Sequence, residues 1–289
     1  MDKKPAWLKK KIILDNKNIS YIKNLIDSSC LNTVCQSAKC PNIFECFSKR
    51  TATFMLMGDT CTRNCGFCGV NSGRPLPLDR EEPGKIASAI KEMGLLYAVI
   101  TSVTRDDLSD GGASHFAQTV KAIKELNPST RVECLIPDFG GNTDSLKLLL
   151  SVDLDVLNHN LETVRSNYGK ARSSADYERS LKLLKRAKKI KPGIYTKSGF
   201  MLGLGESREQ IPELLEDLKE SNVDIVTIGQ YLSPSKDNIA ISKYYTPEEF
   251  KEIENTALKI GFKAIAAGPF VRSSYDAELV LDKALESKI

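Results

Sequence analysis

The chain has 289 residues, of which 41% are hydrophobic and 12 are proline, so it is long enough to bury one large core. Its 41 basic and 37 acidic residues are interspersed, and the net charge of +4 is too weak to indicate nucleic-acid binding. The lysine-rich stretch 1–18 lacks the apolar run of a signal peptide, and no later segment approaches the ~18 apolar residues of a membrane span. We therefore expect a cytoplasmic protein with no membrane or nucleic-acid partner.

Beyond residue 50, short apolar runs typical of strands alternate with segments of helical periodicity. The predicted strands are 53–57, 96–101, 132–136, 156–157, 195–202 and 224–229, and the predicted helices are 84–93, 114–126, 143–150, 176–190, 208–220 and 247–260. This alternation favours a parallel α/β fold, a partial (β/α)6 TIM-type barrel with N-terminal and C-terminal extensions. We expect residues 1–50, which show little regular periodicity, to wrap a barrel formed by 51–265, and 266–289 to follow as a C-terminal segment.

Six of the eight cysteines fall within the segment 35–68, and three of them, Cys61, Cys65 and Cys68, lie within eight residues after a predicted strand. Three thiolates suit three corners of a cubane iron-sulfur cluster and leave the fourth iron open to another molecule. A structural zinc site would need a fourth ligand, and neither histidine of the chain is near in sequence. A thioredoxin-like redox pair would leave Cys61 unexplained.

The C-x-x-x-C-x-x-C spacing, with Phe67 just before the last cysteine, resembles the signature of the radical S-adenosylmethionine superfamily. The resemblance implies a 4Fe-4S cluster on Cys61, Cys65 and Cys68 whose open iron binds S-adenosylmethionine. In that superfamily an electron from the cluster cleaves the sulfonium to methionine and a 5'-deoxyadenosyl radical. By motif position Phe67 would lie against the adenine, and the alternative is an aromatic ring that packs beside the cluster.

A second triplet, with the spacing C-x4-C-x5-C, comprises Cys35, Cys40 and Cys46. It is too widely spaced for the usual zinc knuckle and could hold a second cluster. Together with the Arg-Ser-Ser-Tyr sequence at 272–275, it resembles the lipoyl synthase family, in which the serine before the tyrosine completes an auxiliary cluster. That serine is Ser274 here, and its oxygen would be a harder, more easily released iron ligand than a thiolate. Without the resemblance, the motif would read as a polar turn with serine capping a helix at 277–285.

The resemblance covers nearly the whole chain, and it implies the following activity and partners. The enzyme would insert two sulfur atoms, at carbons 6 and 8, into a protein-bound octanoyl-lysine, with the auxiliary cluster as sulfur donor. Implied cofactors are two 4Fe-4S clusters and S-adenosyl-L-methionine. Implied partners are octanoylated lipoyl domains of 2-oxoacid dehydrogenase acyltransferases, the glycine cleavage H protein, and a low-potential electron donor such as ferredoxin or flavodoxin. Two alternatives stay open: a radical sulfur inserter or methylthiotransferase acting on another substrate, and a non-catalytic iron-sulfur electron carrier.

Further polar residues are candidates for contact with S-adenosylmethionine. Asn158, His159, Asn160 and Glu162 follow the predicted strand 156–157 and could face the barrel mouth, or they could form a capped helix start. Arg172 and Arg105, in predicted polar loops, could bind a carboxylate or the acyl-lysine, or could be solvent-exposed.

Overall fold

The computed structural model describes residues 4–10 and 16–287. Part of the lysine-rich stretch 1–18 and the last two residues of the predicted C-terminal segment therefore lie outside the described residues. Within the described part, no helix is long and apolar enough to cross a membrane.

Seven parallel strands of the described chain form one sheet, in the order β1-β4-β5-β6-β7-β8-β9. These strands are β1 (Thr53–Leu56), β4 (Tyr97–Ser102), β5 (Arg131–Leu135), β6 (Val156–Asn158), β7 (Tyr195–Leu202), β8 (Ile225–Gln230) and β9 (Ala264–Gly268), and a separate parallel pair comprises β2 (Thr60–Cys61) and β3 (Asn71–Ser72). The sheet order follows the chain order and ends in two edges, β1 and β9. The predicted partial barrel is confirmed, and it has a seventh strand, β9, that the sequence analysis missed.

The helices connect successive strands or flank the barrel. They are α1 (Lys17–Ser28), α2 (Val34–Ser37), α3 (Ile43–Ser48), α4 (Glu82–Met93), α5 (Ala113–Leu126), α6 (Thr143–Leu150), α7 (Tyr168–Ala171), α8 (Tyr177–Ile190), α9 (Gln210–Glu220), α10 (Pro247–Ile260) and α11 (Ala277–Glu286). All six predicted helices and all six predicted strands are present, because the strands are short, buried runs and the helices repeat apolar residues at helical spacing. The start of α10 also has its capping box, in which Thr246 accepts from the Glu249 amide.

The described residues of the N-terminal segment include the helices α1, α2 and α3. The segment as a whole shows little periodicity, but in α1 the buried residues Ile19, Ile22, Leu25 and Ile26 recur at helical spacing. Cys35 lies on α2, Cys46 lies on α3, and Cys40 lies in the turn between these two short helices. Helix α1 packs against both α3 and α4. The predicted boundary at residue 265 falls inside β9.

The C-terminal helix α11 closes the amino end of the barrel. Its apolar stripe, Ala277, Val280, Leu281 and Ala284, packs against Tyr97, Val156, Tyr195, Ile225 and Ala264, each of which begins a strand. Burial of this stripe blocks one end of the barrel, so the loops at the carboxyl ends of the strands are left to form a site, as in other barrels of this type.

A buried polar network spans four neighbouring strands inside the barrel. Glu133 of β5 accepts hydrogen bonds from Tyr97 of β4 (2.7 Å), Asn158 of β6 (2.7 Å) and Lys197 of β7 (3.0 Å). Glu133 and Lys197 are both at most 1% exposed. A buried charge requires a partner and satisfied hydrogen bonds, and this network supplies both.

Candidate metal centres

The first cysteine triplet lies in the loop that follows β1, at the carboxyl end of the barrel. Backbone amides surround its sulfur atoms. The Cys61 sulfur accepts from the amides of Arg63 (3.4 Å) and Thr104 (3.3 Å), and the Cys68 sulfur accepts from the amide of Val70 (3.4 Å). Amide donors of this kind stabilise charge on sulfur and help to set the potential of an iron-sulfur cluster.

The thiols of this loop are close enough to influence one another's ionisation. Burial raises the pKa of Cys65, the Arg172 guanidinium opposes that rise, and the charges of Glu162 and Cys61 add to it. Burial also raises the pKa of Cys68 to about 11. The hydrogen bond from the Val70 amide acts to lower this pKa, and the charge of Cys65 acts to raise it. Burial thus disfavours the thiolate forms of Cys65 and Cys68, and a cationic centre bound between the cysteines would favour them.

Three thiols suit a cluster better than a structural zinc ion, which needs a fourth ligand. Across residues 4–10 and 16–287, no three Cys, His, Asp or Glu side chains are grouped closely enough to hold one metal ion. In a cubane each thiolate binds a different iron, so its ligands stand further apart than those of a zinc ion. The residues present therefore fit the cubane that the spacing indicates.

Arg63, between the first and second cysteines of the loop, anchors it to the barrel. Its guanidinium donates two hydrogen bonds of 2.7 Å to Asp106 and one of 2.7 Å to Asp138. Asp138 is fully buried, and although burial acts to raise its pKa, the bond from Arg63 lowers it below the ordinary value. The sequence analysis missed this residue, because nothing in the motif shows which carboxylates the arginine meets.

Beside this loop, a small polar cavity of about 90 Å³ opens into the barrel. Its polar lining includes Asn160, Glu162, Thr227, Arg272 and Ser273. Asn160 donates to Glu162 (2.9 Å) and accepts from Ser273 (2.9 Å), so the end of β6 is tied to the C-terminal motif. Burial raises the pKa of Glu162, against the opposing charge of Arg172.

Several buried polar atoms near this cavity have no hydrogen-bond partner among the described residues. They include Nε of Arg172, Nε2 of His159 and Oγ1 of Thr227. Buried polar atoms are nearly always satisfied, so these atoms indicate room for a polar ligand. His159 is suited to accept, because its Nδ1 faces the Ile136 carbonyl (2.8 Å) and burial lowers its pKa to about 4. The chemistry of this donor and acceptor set fits S-adenosylmethionine.

The residues predicted to contact the cofactor do not all lie in the same part of the structure. Glu162, which lines the cavity, and Arg172 both act on the charge of Cys65, whereas the Asn158 amide is bonded to Glu133 inside the barrel. Phe67 is half-buried within the cysteine loop. The alternative of a helix start after β6 is wrong, since Glu162 has a φ of 70° and bridges to Phe200.

The side chains of Arg172 and Arg105 are both fixed by hydrogen bonds within the protein. Arg172 donates to the carbonyl of Asn160 (2.8 Å) and to the hydroxyl of Tyr168 (3.1 Å). The alternative of solvent exposure is wrong for Arg105, which is 3% exposed and paired through two hydrogen bonds with Asp107. Each arginine therefore presents a fixed positive charge rather than a free surface side chain.

The second triplet meets the C-terminal motif in one cavity of about 380 Å³. Its lining includes Cys35, Cys40, Cys46 and Ser274, from opposite ends of the chain. Burial raises the pKa of Cys35 to about 11 and that of Cys46 to about 12, and the neighbouring cysteines add to both shifts. Three thiols and a hydroxyl around one space fit the ligand set of a second cluster. We refer to this space as the auxiliary cavity.

Contacts between the N-terminal and C-terminal segments fix the walls of the auxiliary cavity. Asn42 donates to the carbonyl of Phe270 (2.7 Å) and accepts from Lys10 (2.6 Å). Lys10 also pairs with Glu45 (2.7 Å) and lies 4.5 Å from the ring centroid of Phe270. The two sequence segments that carry the proposed ligands are therefore held together by the protein itself.

Comparison with known proteins identifies first the superfamily of this protein and then its family. The radical SAM superfamily matches residues 55–218. Methylornithine synthase shares the fold at 15% identity and a TM-score of 0.52, over 87% of this chain and 82% of that one. Coproporphyrinogen III oxidase from Escherichia coli does so at 15% identity and a TM-score of 0.53, over 71% and 51%. The fold and the first cysteine loop thus define a radical S-adenosylmethionine enzyme.

Curated relatives identify the family to which this chain belongs within that class of enzyme. The lipoyl synthase of Caldanaerobacter subterraneus is 52% identical over 284 residues, 98% of each chain. The lipoyl synthase of Caldicellulosiruptor saccharolyticus is 54% identical over 276 residues, 96% of each chain. That of Symbiobacterium thermophilum is 53% identical over 278 residues, 96% of this chain and 87% of the relative. The chain belongs to the lipoyl synthase family.

Proposed function

We propose that this enzyme inserts two sulfur atoms, at carbons 6 and 8, into an octanoyl chain that is amide-linked to a lysine of a carrier protein, giving the lipoyl cofactor. The observation that carries the proposal is the auxiliary cavity, which gathers Cys35, Cys40, Cys46 and Ser274. Arg272 lines this cavity and also the small polar cavity beside the first cysteine loop. A radical-forming step and a sulfur-donating step require two neighbouring centres, and the shared lining residue Arg272 supports this arrangement.

The protein's own residues have distinct parts in this proposal. Cys61, Cys65 and Cys68 would hold one 4Fe-4S cluster, and Cys35, Cys40, Cys46 and Ser274 would hold the other. When bound, the first cluster supplies the electron that cleaves S-adenosylmethionine and the second supplies sulfur. Arg63, through Asp106 and Asp138, fixes the first loop.

The polar cavity would orient S-adenosylmethionine. The fixed charge of Arg172 suits a carboxylate, and its unpartnered Nε is free to donate. Glu162 and His159 would accept hydrogen bonds from hydroxyl or amino groups. Because these side chains are already held by protein contacts, the site is preorganised and little ordering is required when the ligand binds.

The partners belong to the same proposal and are supported by family membership. The acceptor would be an octanoylated lipoyl domain of a 2-oxoacid dehydrogenase acyltransferase or the glycine cleavage H protein. The reductant would be a low-potential carrier such as ferredoxin or flavodoxin. Six clustered cysteines that must stay reduced support a cytoplasmic location.

The test is anaerobic reconstitution with iron and sulfide, followed by reaction with S-adenosylmethionine, a low-potential reductant and an octanoyl-lysine peptide. Mass spectrometry should detect deoxyadenosine together with a lipoyl peptide. Deoxyadenosine without sulfur insertion would support the radical chemistry but indicate that the enzyme acts on another substrate. Absence of S-adenosylmethionine binding would favour an electron carrier.

A further inference from the structure

The segment 231–245, between β8 and α10, crosses over the first cysteine loop, and we call it the strap. At its base, the buried Gln230 donates to the carbonyl of Lys243 (2.9 Å) and accepts from the amide of Tyr245 (2.9 Å). At its tip, the amide of Ile239 donates to the carbonyl of Gly66 (2.9 Å). The strap is thus fixed both to the barrel and to the cysteine loop.

Asn238, at the tip of the strap, makes the side-chain contacts with the cysteine loop. Its Nδ2 donates to the carbonyl of Gly66 (3.2 Å) and to the carbonyl of Cys68 (2.9 Å). Its Oδ1 accepts from the hydroxyl of Ser235 (2.8 Å), which sets the orientation of the amide. The two hydrogens of one amide group are therefore matched to two carbonyls that flank Phe67.

The strap holds the loop against a second support. On the opposite side, the amide of Gly66 donates to the carbonyl of Ala171 (2.9 Å), next to Arg172. A side chain on Gly66 would meet Ile239 at 3.0 Å and the Lys170 carbonyl at 3.2 Å, so the loop is closely enclosed. Cys65, Phe67 and Cys68 are consequently held between the strap and the segment that carries Arg172.

We propose that Asn238 is a positioning residue for the first cluster, an inference that rests on the proposed function. By holding the carbonyls of Gly66 and Cys68, its amide fixes the direction of the loop that carries Cys65, Phe67 and Cys68. This keeps two cluster ligands and the aromatic ring in one geometry relative to Arg172 and Glu162. Small displacements of such groups have large effects on a reacting centre.

The test compares variants in a chain whose Cys35, Cys40 and Cys46 are replaced by alanine, so that iron reports the first cluster alone. Asn238→Ala removes both hydrogen bonds, and Asn238→Asp places a carboxylate against two carbonyls. Asp237→Ala is the matched control, since the Asp237 side chain is exposed and makes no hydrogen bond or ion pair with the described residues. Tyr231→Phe removes the strap's own bond to the Ile239 carbonyl (2.8 Å) without touching the cysteine loop.

Two measurements are made on each anaerobically reconstituted variant: the rate of iron loss to a chelator, and the electron paramagnetic resonance spectrum of the reduced cluster with and without S-adenosylmethionine. We expect Asn238→Ala to lose iron about tenfold faster, since two hydrogen bonds are lost, and Asn238→Asp to be faster still. The spectral change caused by S-adenosylmethionine should be altered in both. Asp237→Ala should match the parent chain.

Equal iron loss and equal spectra in Asn238→Ala and Asp237→Ala would overturn the inference. An effect of Tyr231→Phe as large as that of Asn238→Ala would assign the role to the whole strap and would also overturn it. Failure of the proposed function is separate, because it would show in the unsubstituted enzyme as a lack of deoxyadenosine or of sulfur insertion.

Discussion

The hydroxyl of Tyr275 donates to the carboxylate of Glu45 over 2.7 Å, and this bond joins the C-terminal motif to α3, the helix that carries Cys46 of the second cysteine triplet. Glu45 also accepts from Lys10 and Lys49. Burial acts to raise the pKa of Glu45, but the hydrogen bonds from Lys10, Tyr275 and Lys49 lower it to about 2. The carboxylate is therefore charged at neutral pH and holds the two walls of the auxiliary cavity together.

Replacement of Tyr275 by phenylalanine should loosen this contact while keeping the ring. We expect a loss of about 1 kcal/mol of stability, since the bond is to a charged group that is partly exposed. The auxiliary cluster should be released to a chelator faster than the first cluster. Iron release is compared with that of Tyr244→Phe, which removes the hydroxyl of a half-buried tyrosine of the strap. Equal release from both variants would show that the hydroxyl has no part in holding the cavity.

Replacement of Cys40 by alanine separates the two proposed centres. The first loop is untouched, so S-adenosylmethionine cleavage should remain measurable, while thiolated product should be absent because the auxiliary ligand set is incomplete. Deoxyadenosine and peptide products are measured in one reaction by mass spectrometry. The exposed Cys30, which lies outside both triplets, provides a Cys30→Ala control. Product at the parent level would refute the donor role.

Replacement of Cys65 by alanine should eliminate cleavage itself. The loop would keep two of its three thiols, and a cubane held at two corners would not present a stable open iron. Deoxyadenosine is the measured quantity, and the buried Cys134, on β5, offers Cys134→Ala as a comparison that removes a thiol from the core. Continued deoxyadenosine production by Cys65→Ala would contradict the radical assignment.

The sequence predicted most of the barrel, because its strands and helices bury apolar residues with a regular period. It failed at β9, whose residues Ala264–Gly268 are small and give little apolar signal, and it also missed α1, although the apolar residues of that helix recur at helical spacing. The cysteine spacing identified the first loop. The meeting of Ser274 with the second triplet came only from the family resemblance.

The remaining features depend on contacts between distant segments. Asn238 donates to the carbonyl of Cys68, which is 170 residues away in sequence. Arg63 donates to the buried Asp138, which is 75 residues away. Local patterns in the chain carry no information about which loops meet at the end of a barrel. Nor does the position of Asn158 after a strand show that its amide donates to Glu133 inside the barrel.

Replacement of Lys197 by methionine tests the buried network of the barrel. The change leaves the Glu133 carboxylate buried without its ion-pair partner, and we expect a loss of about 3–5 kcal/mol in the free energy of unfolding. The double variant Lys197→Met with Glu133→Gln should recover part of that loss, because no uncompensated charge remains. Urea unfolding measures the parent chain, the two single variants Lys197→Met and Glu133→Gln, and the double variant. Additive losses in the double variant would mean that the two residues do not act as a pair.

Asp224, just before β8, provides a pH-dependent contribution at the other end of the barrel. It is 6% exposed, pairs with Lys188 (2.5 Å) and Lys263 (2.5 Å), and accepts from the amide of Thr196 (3.0 Å). Burial acts to raise its pKa, but the bonds from Lys188 and Lys263 lower it below the ordinary value of 3.8. Because the folded state binds the proton more weakly than the unfolded state, the stabilisation is complete well above 3.8 and is lost as the pH falls through the folded value.

Replacement of Asp224 by asparagine should therefore lower the free energy of unfolding by about 1–3 kcal/mol at neutral pH, since two partly exposed lysines lose their shared buried carboxylate partner. The difference from the parent chain should shrink as the pH falls below about 4, where the parent carboxylate also becomes protonated. Urea unfolding of the cluster-free chains at several pH values measures this difference. Asp153→Asn is the control, because Asp153 is 79% exposed and pairs only loosely with Lys124 (3.4 Å). A difference between Asp224→Asn and the parent that stays constant from neutral to acidic pH would exclude a charge-dependent role and leave only packing.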